Sequence, residues 1–92
     1  MSHRIEIGGA LTVDTASATL QTGKAALAAA PAGDVVLDMA GVEGVDSAGL
    51  AVVFAWLREA RAAGRTLGLS RVPPQLQSLA AVYGVGDMLP LV

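Results

Sequence analysis

Apolar positions along the chain switch between a period of two and a period near 3.6, and the switches mark the elements. Residues 4–13, Arg-Ile-Glu-Ile-Gly-Gly-Ala-Leu-Thr-Val, alternate partly between apolar and polar, which predicts a strand. Gly8-Gly9 predicts a bulge or break inside it. Asp14-Thr15 then offers a helix N-cap. From Ala16 to about Ala30 the spacing turns helical in an Ala-rich segment, with Leu20, Gly23 or Ala26, and Leu27 on one side. Pro31-Ala32-Gly33 ends that helix. Asp34–Ala40 contains Val35-Val36-Leu37, a continuous β-branched run of the kind found in a strand buried on both faces.

Gly41-Val42-Glu43-Gly44-Val45 reads as a loop leading to Asp46-Ser47, where a second helix opens. It runs to about Ala63 and closes at Gly64, with Leu50, Val53, Phe54 and Leu57 as the stripe expected to face a sheet. Val52, Ala55 and Trp56 fall beside that stripe. Arg65–Ser70 reads as a further strand. Pro73-Pro74 suits the first turn of a third helix, about Pro74–Tyr83, with Leu76, Leu79, Ala80 and Tyr83 inward. Gly84–Asp87 reads as a turn, and Met88–Val92 as a short terminal strand or extended tail. The order β-α-β-α-β-α-β predicts an α/β fold: a mostly parallel four-stranded sheet with three main helices and right-handed crossovers. At 92 residues, one domain over 1–92 is expected.

Val35-Val36-Leu37-Asp38-Met39, followed by Gly44-Val45-Asp46-Ser47-Ala48-Gly49-Leu50, resembles the motif of STAS domains, the fold of bacterial anti-sigma-factor antagonists. In that family a buried strand ends in an acidic residue, and a short loop leads to Asp-Ser/Thr-small-Gly-Leu at the start of a helix. The resemblance covers nearly the whole chain in element order. Leu79-Ala80-Ala81-Val82-Tyr83-Gly84-Val85 and Met88-Leu89-Pro90 are further similar to the ending of the MlaB-type STAS subunits of Mla-type phospholipid ABC transporters. Where the family often has Gly-Glu-Leu-Asp before its first helix, this chain has Gly9-Ala10-Leu11-Thr12, so both acids are absent.

The resemblance implies a non-enzymatic interaction subunit. It marks Ser47 as the phosphorylatable switch and Asp46, Ser47, Ala48 and Gly49 as the partner contact; Val52 and Trp56 extend that surface along the helix. The implied partner is the cytoplasmic ATPase of an Mla-type phospholipid-transport ABC system. Two alternatives stand beside it. One is an anti-sigma-factor antagonist that binds a serine kinase or anti-sigma factor and is switched by phosphorylation of Ser47; the other is a small nucleotide-binding protein. Read from the residues alone, Asp46 or Ser47 is an N-cap, and Ser47 sits where free N–H groups and the helix dipole tolerate an anion. Gly49 either admits a partner's backbone or relieves crowding in the first helical turn.

Composition narrows the chemistry. Charged residues are 15% and the net charge is −2, so no basic nucleic-acid footprint exists. With no Cys there is no thiolate nucleophile or thiolate metal site, and the single His3 lies near the chain start. A Gly-x-Ser-x-Gly elbow would need glycine at position 45, which is Val45. No Gly-x-x-x-x-Gly-Lys loop is present, since Lys24 lies inside a helix. Asp38 and Asp46 are read as a solvated strand-end acid and a helix cap rather than an acid–base pair. No catalytic residue, metal or cofactor is expected. The longest apolar run, Leu50–Leu57, is far short of a bilayer span of roughly 20 residues. A cytoplasmic protein is therefore expected, held at the inner membrane only through its partner and open to self-association.

Overall fold

A computed structural model describes residues 3–92 of the protein. The elements are β1 (His3–Leu11), α1 (Ala16–Ala29), β2 (Val35–Val45), α2 (Ser47–Ala62), β3 (Leu67–Ser70) and α3 (Pro74–Val82), followed by a short 3-10 turn at Gly86–Met88. The strands form one sheet in the order β1-β2-β3, with both pairings parallel. Adjacent parallel strands joined by right-handed crossovers carry their helices on one face. The burial pattern agrees: Ile7, Val35, Leu37, Met39, Leu67 and Leu69 are buried beneath the helices. Arg4 and Glu6 lie exposed on the opposite face, where Val36 is half-buried. The Val35–Leu37 run is thus covered by helices on one side only.

The sheet has three strands among the described residues, where four were expected from the sequence. The terminal segment reaches β3 through a single bridge, Leu69 to Leu91. Leu69 N–H donates to the Pro90 carbonyl at 2.8 Å and Val92 N–H donates to the Leu69 carbonyl at 2.9 Å. A ladder cannot extend back from there, because Pro90 has no N–H to donate and Gly86–Met88 is already wound into a 3-10 turn.

A second departure lengthens β2. Residues Gly41–Val45 are strand rather than loop, paired with Gly8–Leu11. The register slips between Glu6 and Gly8 and again between Gly9 and Ala10. Gly9 takes a φ of 77°, a conformation that lets the strand bulge and resume. The extension carries the chain past the end of β3 and delivers Asp46 beside the end of β1.

Helix α2 buries two sides. Leu50 and Val53 face the sheet, with Phe54 and Leu57 half-buried beside them. Val52, Trp56 and Ala60 are also buried, and the Trp56 indole N–H donates to the Leu20 carbonyl of α1 at 3.1 Å. The indole packs directly against Gly23, where a Cβ would collide with the ring. Burying a side chain of this size contributes at least about 1.5–3 kcal/mol, which makes Trp56 a main tie between the two helices. Trp56 and Val52 therefore belong to the interior and not to the partner surface assigned to them from helical spacing.

Both α2 and α3 end in a Schellman arrangement. Arg65 N–H donates to the Ala60 carbonyl and Gly64 N–H to Arg61; Val85 N–H donates to Ala80 and Gly84 N–H to Ala81. Gly84 (φ 72°) ends α3; Tyr83, the C-cap, still donates its N–H to the Leu79 carbonyl at 3.0 Å, but at the helix end its side chain is 58% exposed rather than inward. Val85 packs back against the core in its place. At α1, Thr15 occupies the N-cap position without a capping bond; its hydroxyl donates to the Ala10 carbonyl and accepts from the Thr12 N–H instead.

Gly23→Ala tests the α1–α2 contact with opposing effects. Intrinsic helix propensity favours Ala by about 0.8–1 kcal/mol. Overpacking against a ring fixed by its own hydrogen bond costs about 1–3 kcal/mol. Chemical denaturation is expected to show net destabilisation, with quenched or shifted Trp56 fluorescence in the native state. A stabilised variant would contradict this packing.

Candidate functional site

The start of α2 is held by one side chain. Asp46 is the N-cap, and its Oδ1 accepts from the N–H groups of Ala48 (2.9 Å) and Gly49 (3.1 Å). Its Oδ2 accepts from the Val13 N–H at 2.9 Å, and its own N–H donates to the Leu11 carbonyl at 3.1 Å. Asp46 thus joins the helix start to the β1–α1 connection. Gly49 completes the joint: it is buried, and a Cβ there would overlap the Leu11 carbonyl. The close approach it allows is to the protein's own backbone, neither to a partner nor within the helical turn.

Ser47 follows as the first helical residue and is exposed. With Asp46 already satisfying the first-turn N–H groups, the Ser47 hydroxyl is not used as a cap. Ala48 is half-buried. Beside them lies an open groove of about 520 Å³ between the α2 start and α3, lined by Val45, Asp46, Ser47, Pro74, Gln75, Ser78, Leu79 and Tyr83. Val13, whose N–H is bonded to Asp46, and Val82 of α3 are both exposed. The expected site residues therefore divide. Asp46 and Ser47 line the groove and Ala48 adjoins it, whereas Gly49, Val52 and Trp56 are buried behind it. The α3 side of the groove was missed. Tyr83 was read as inward from its helical spacing with Leu76 and Leu79, and no local signal marked it as exposed.

Asp38 and Asp46 share no partner. Asp38 is only 3% exposed and sits under two arginines on the sheet face that the helices leave uncovered. Arg71 approaches with Nε at 3.0 Å from Oδ1 and with Nη2 on Oδ2; Arg4 Nη2 lies 3.1 Å from Oδ2, and the Ala40 N–H donates at 3.1 Å. It is therefore a buried ion-pair centre and not a solvated strand-end acid. Arg71 adopts a left-handed φ of 51° in making this contact, an uncommon conformation for a residue with a side chain. The Arg71 guanidinium, then the Ala40 N–H and Arg4, hold the Asp38 carboxyl well below the usual carboxylate range against the opposing effect of burial. The Val13 N–H, followed by those of Gly49 and Ala48, lowers Asp46 in the same direction. Among the described residues no cluster of three or more His, Cys, Asp or Glu side chains is assembled.

A family model described as "Mlab, STAS domain" matches residues 2–91. The chain belongs to the STAS domain family. Solved structures share the STAS fold at low identity. A sulfate transporter family protein from Wolinella succinogenes aligns with a TM-score of 0.72 and 21% identity, over 96% of this chain and 70% of that one. The anti-sigma factor antagonist SpoIIAA in its unphosphorylated form aligns at 0.70 and 16%, over 99% and 79%. Comparison with curated proteins returns no match. Among the described residues, no helix of this STAS domain is long and apolar enough to cross a membrane.

The two lowered carboxyls fix a sign for acid stability. Their ordinary value is 3.8, and the fold lowers both. As pH falls, the unfolded chain takes up protons first. The stability they contribute is complete above that value and is lost as pH drops through the lower folded values. Asp46→Asn removes one of these groups, and its neutral amide cannot accept at both ends. Denaturation midpoints across a pH series are expected to fall less steeply below pH 3.8 in the variant than in the wild type; parallel curves would contradict the assignment.

Proposed function

We infer that this STAS domain is a non-enzymatic interaction subunit. It docks through the Ser47 surface on the cytoplasmic ATPase of an Mla-type phospholipid-transport ABC system. The observation that carries this reading is an exposed Ser47 on a rigid helix start, beside a groove with an apolar wall of Leu79, Pro74 and Tyr83. A tyrosine more than half exposed next to a preformed concavity suits a protein partner, where aromatic side chains supply much of the binding energy. The match of nearly the whole chain to the MlaB-type STAS model supports the choice of partner. On this reading residues 1–92 form one STAS domain in the cytoplasm, at the membrane only by way of its partner.

A second reading is supported by the fold shared with the anti-sigma factor antagonist SpoIIAA. There the partner is a serine kinase or anti-sigma factor, and phosphorylation of Ser47 ends binding. A phosphate at this position brings about −1.5 to −2 charges beside Asp46, and the α2 dipole would accept it without unwinding the helix. Its effect would fall on the partner through repulsion and desolvation.

The test is co-purification of the tagged protein from its native cells, with mass spectrometry of the partner and of Ser47. The ATPase recovered is then titrated with each variant by calorimetry. Ser47→Ala is expected to bind nearly as the wild type does. Ser47→Asp is expected to weaken binding about tenfold or more. Its own fold should be unharmed, since an acid in the first helical turn is favourable. Recovery of a kinase and a sigma-factor regulator selects the second reading. An unchanged affinity for Ser47→Asp removes the docking role of this surface in both.

A further inference from the structure

A second groove, of about 850 Å³, lies toward the other end of α2. Phe54, Leu57 and Val85, all half-buried, form its floor with Met88 at the edge, and Arg58 and Arg61 stand on its rim. These arginines are 11 and 14 residues beyond Ser47, about 16–21 Å along the helix axis, so the groove is separate from the Ser47 surface. Its charge is one-sided. No acidic residue lines it. Glu59, the nearest acid on the helix, is turned to the α1 side, where its carboxylate meets Lys24 at 3.1 Å. Arg58 and Arg61 make no ion pair or side-chain hydrogen bond among the described residues. Arg65, at the end of the groove, is committed to the chain itself, donating to the Ala30 carbonyl at 2.7 Å.

We propose that this groove binds an acidic amphipathic helical segment of a partner protein. The segment's apolar stripe enters between Leu57 and Val85, and its carboxylates meet Arg58 and Arg61. The pairing follows from charge: two exposed guanidinium groups, without partners among the described residues, flank the apolar floor in a chain of net charge −2. The shape selects a segment over a membrane. The apolar floor is recessed beneath its charged rim, which a helix stripe with projecting side chains can reach and a bilayer surface cannot. This assignment does not depend on the identity of the Ser47 partner.

The probe is a displayed library of 12-residue peptides selected on the intact protein. Recovered peptides are expected to combine Asp or Glu with Leu, Ile or Phe at helical spacing. They should bind the Arg58→Glu/Arg61→Glu variant about tenfold more weakly or worse. Both positions are exposed, and the milder Arg58→Gln/Arg61→Gln variant should give an intermediate loss with an unchanged melting curve. Ser47→Asp should leave peptide affinity as it was. Three results overturn the proposal. The first is a selection without acidic enrichment. The second is peptides that bind the charge-reversed variant as tightly as the wild type. The third is a protein that takes up no peptide and instead sediments with phosphatidylglycerol vesicles through the same two arginines.

Discussion

The end of β1 and the start of α2 occupy nearly the same space, and the structure depends on the joint that permits it. The Leu11 carbonyl lies where the side chain of residue 49 would be, so only glycine fits there. Asp46 then locks the approach in two directions, with its N–H on Leu11 and its carboxylate on Val13, Ala48 and Gly49. The N–H groups of Val13, Asp46, Ala48 and Gly49 are all paired in this joint, which matters because backbone groups left unpaired at a half-buried helix start are costly. The joint fixes where α2 begins relative to the sheet, and with it the position of Ser47.

From that start the helix has little freedom to rotate. Leu50 and Val53 lock onto the sheet while Trp56 locks onto α1 at Gly23 and Leu20, so two faces are held at once. What remains for the surface is the helix tip and the outer arginines. Ser47 is exposed at the first position of a helix whose cap is supplied by Asp46. Tyr83 is exposed at the C-cap of α3, just before Gly84, and with Leu79 and Pro74 of that helix it forms the far side of the Ser47 groove. A groove assembled from the β2–α2 junction and α3 on a small parallel sheet suits the docking role proposed for it.

Much of this was legible in the sequence, and the failures have physical causes. Val35-Val36-Leu37, the Asp46-Ser47 helix start and the Gly64 stop read directly, since each depends on local preferences. The extension of β2 through Gly41–Val45 did not: three polar or glycine residues there are held as strand only by pairing with the bulged Gly8–Leu11 segment. Val52 and Trp56 were placed on the surface because one helical stripe was assumed to be enough. Helix α1 supplies the second wall, and its glycine gives no hydrophobic signal in sequence. Asp38 read as solvated because its ion-pair partners, Arg4 and Arg71, lie 34 and 33 residues away. The Ser47 end of the site was visible in a short motif, whereas its α3 wall depended on how a distant helix ends.

Amide hydrogen exchange of the free protein tests the joint most directly. The N–H groups of Val13, Ala48 and Gly49 should all be protected in the wild type, although Val13 is itself exposed in a connection between elements. In Asp46→Ala, protection at all three should fall together while Leu69, in the sheet core, keeps its own. A Val13 amide that exchanges as fast in the wild type as in Asp46→Ala would contradict the claim that one carboxylate holds the helix start to the rest of the fold.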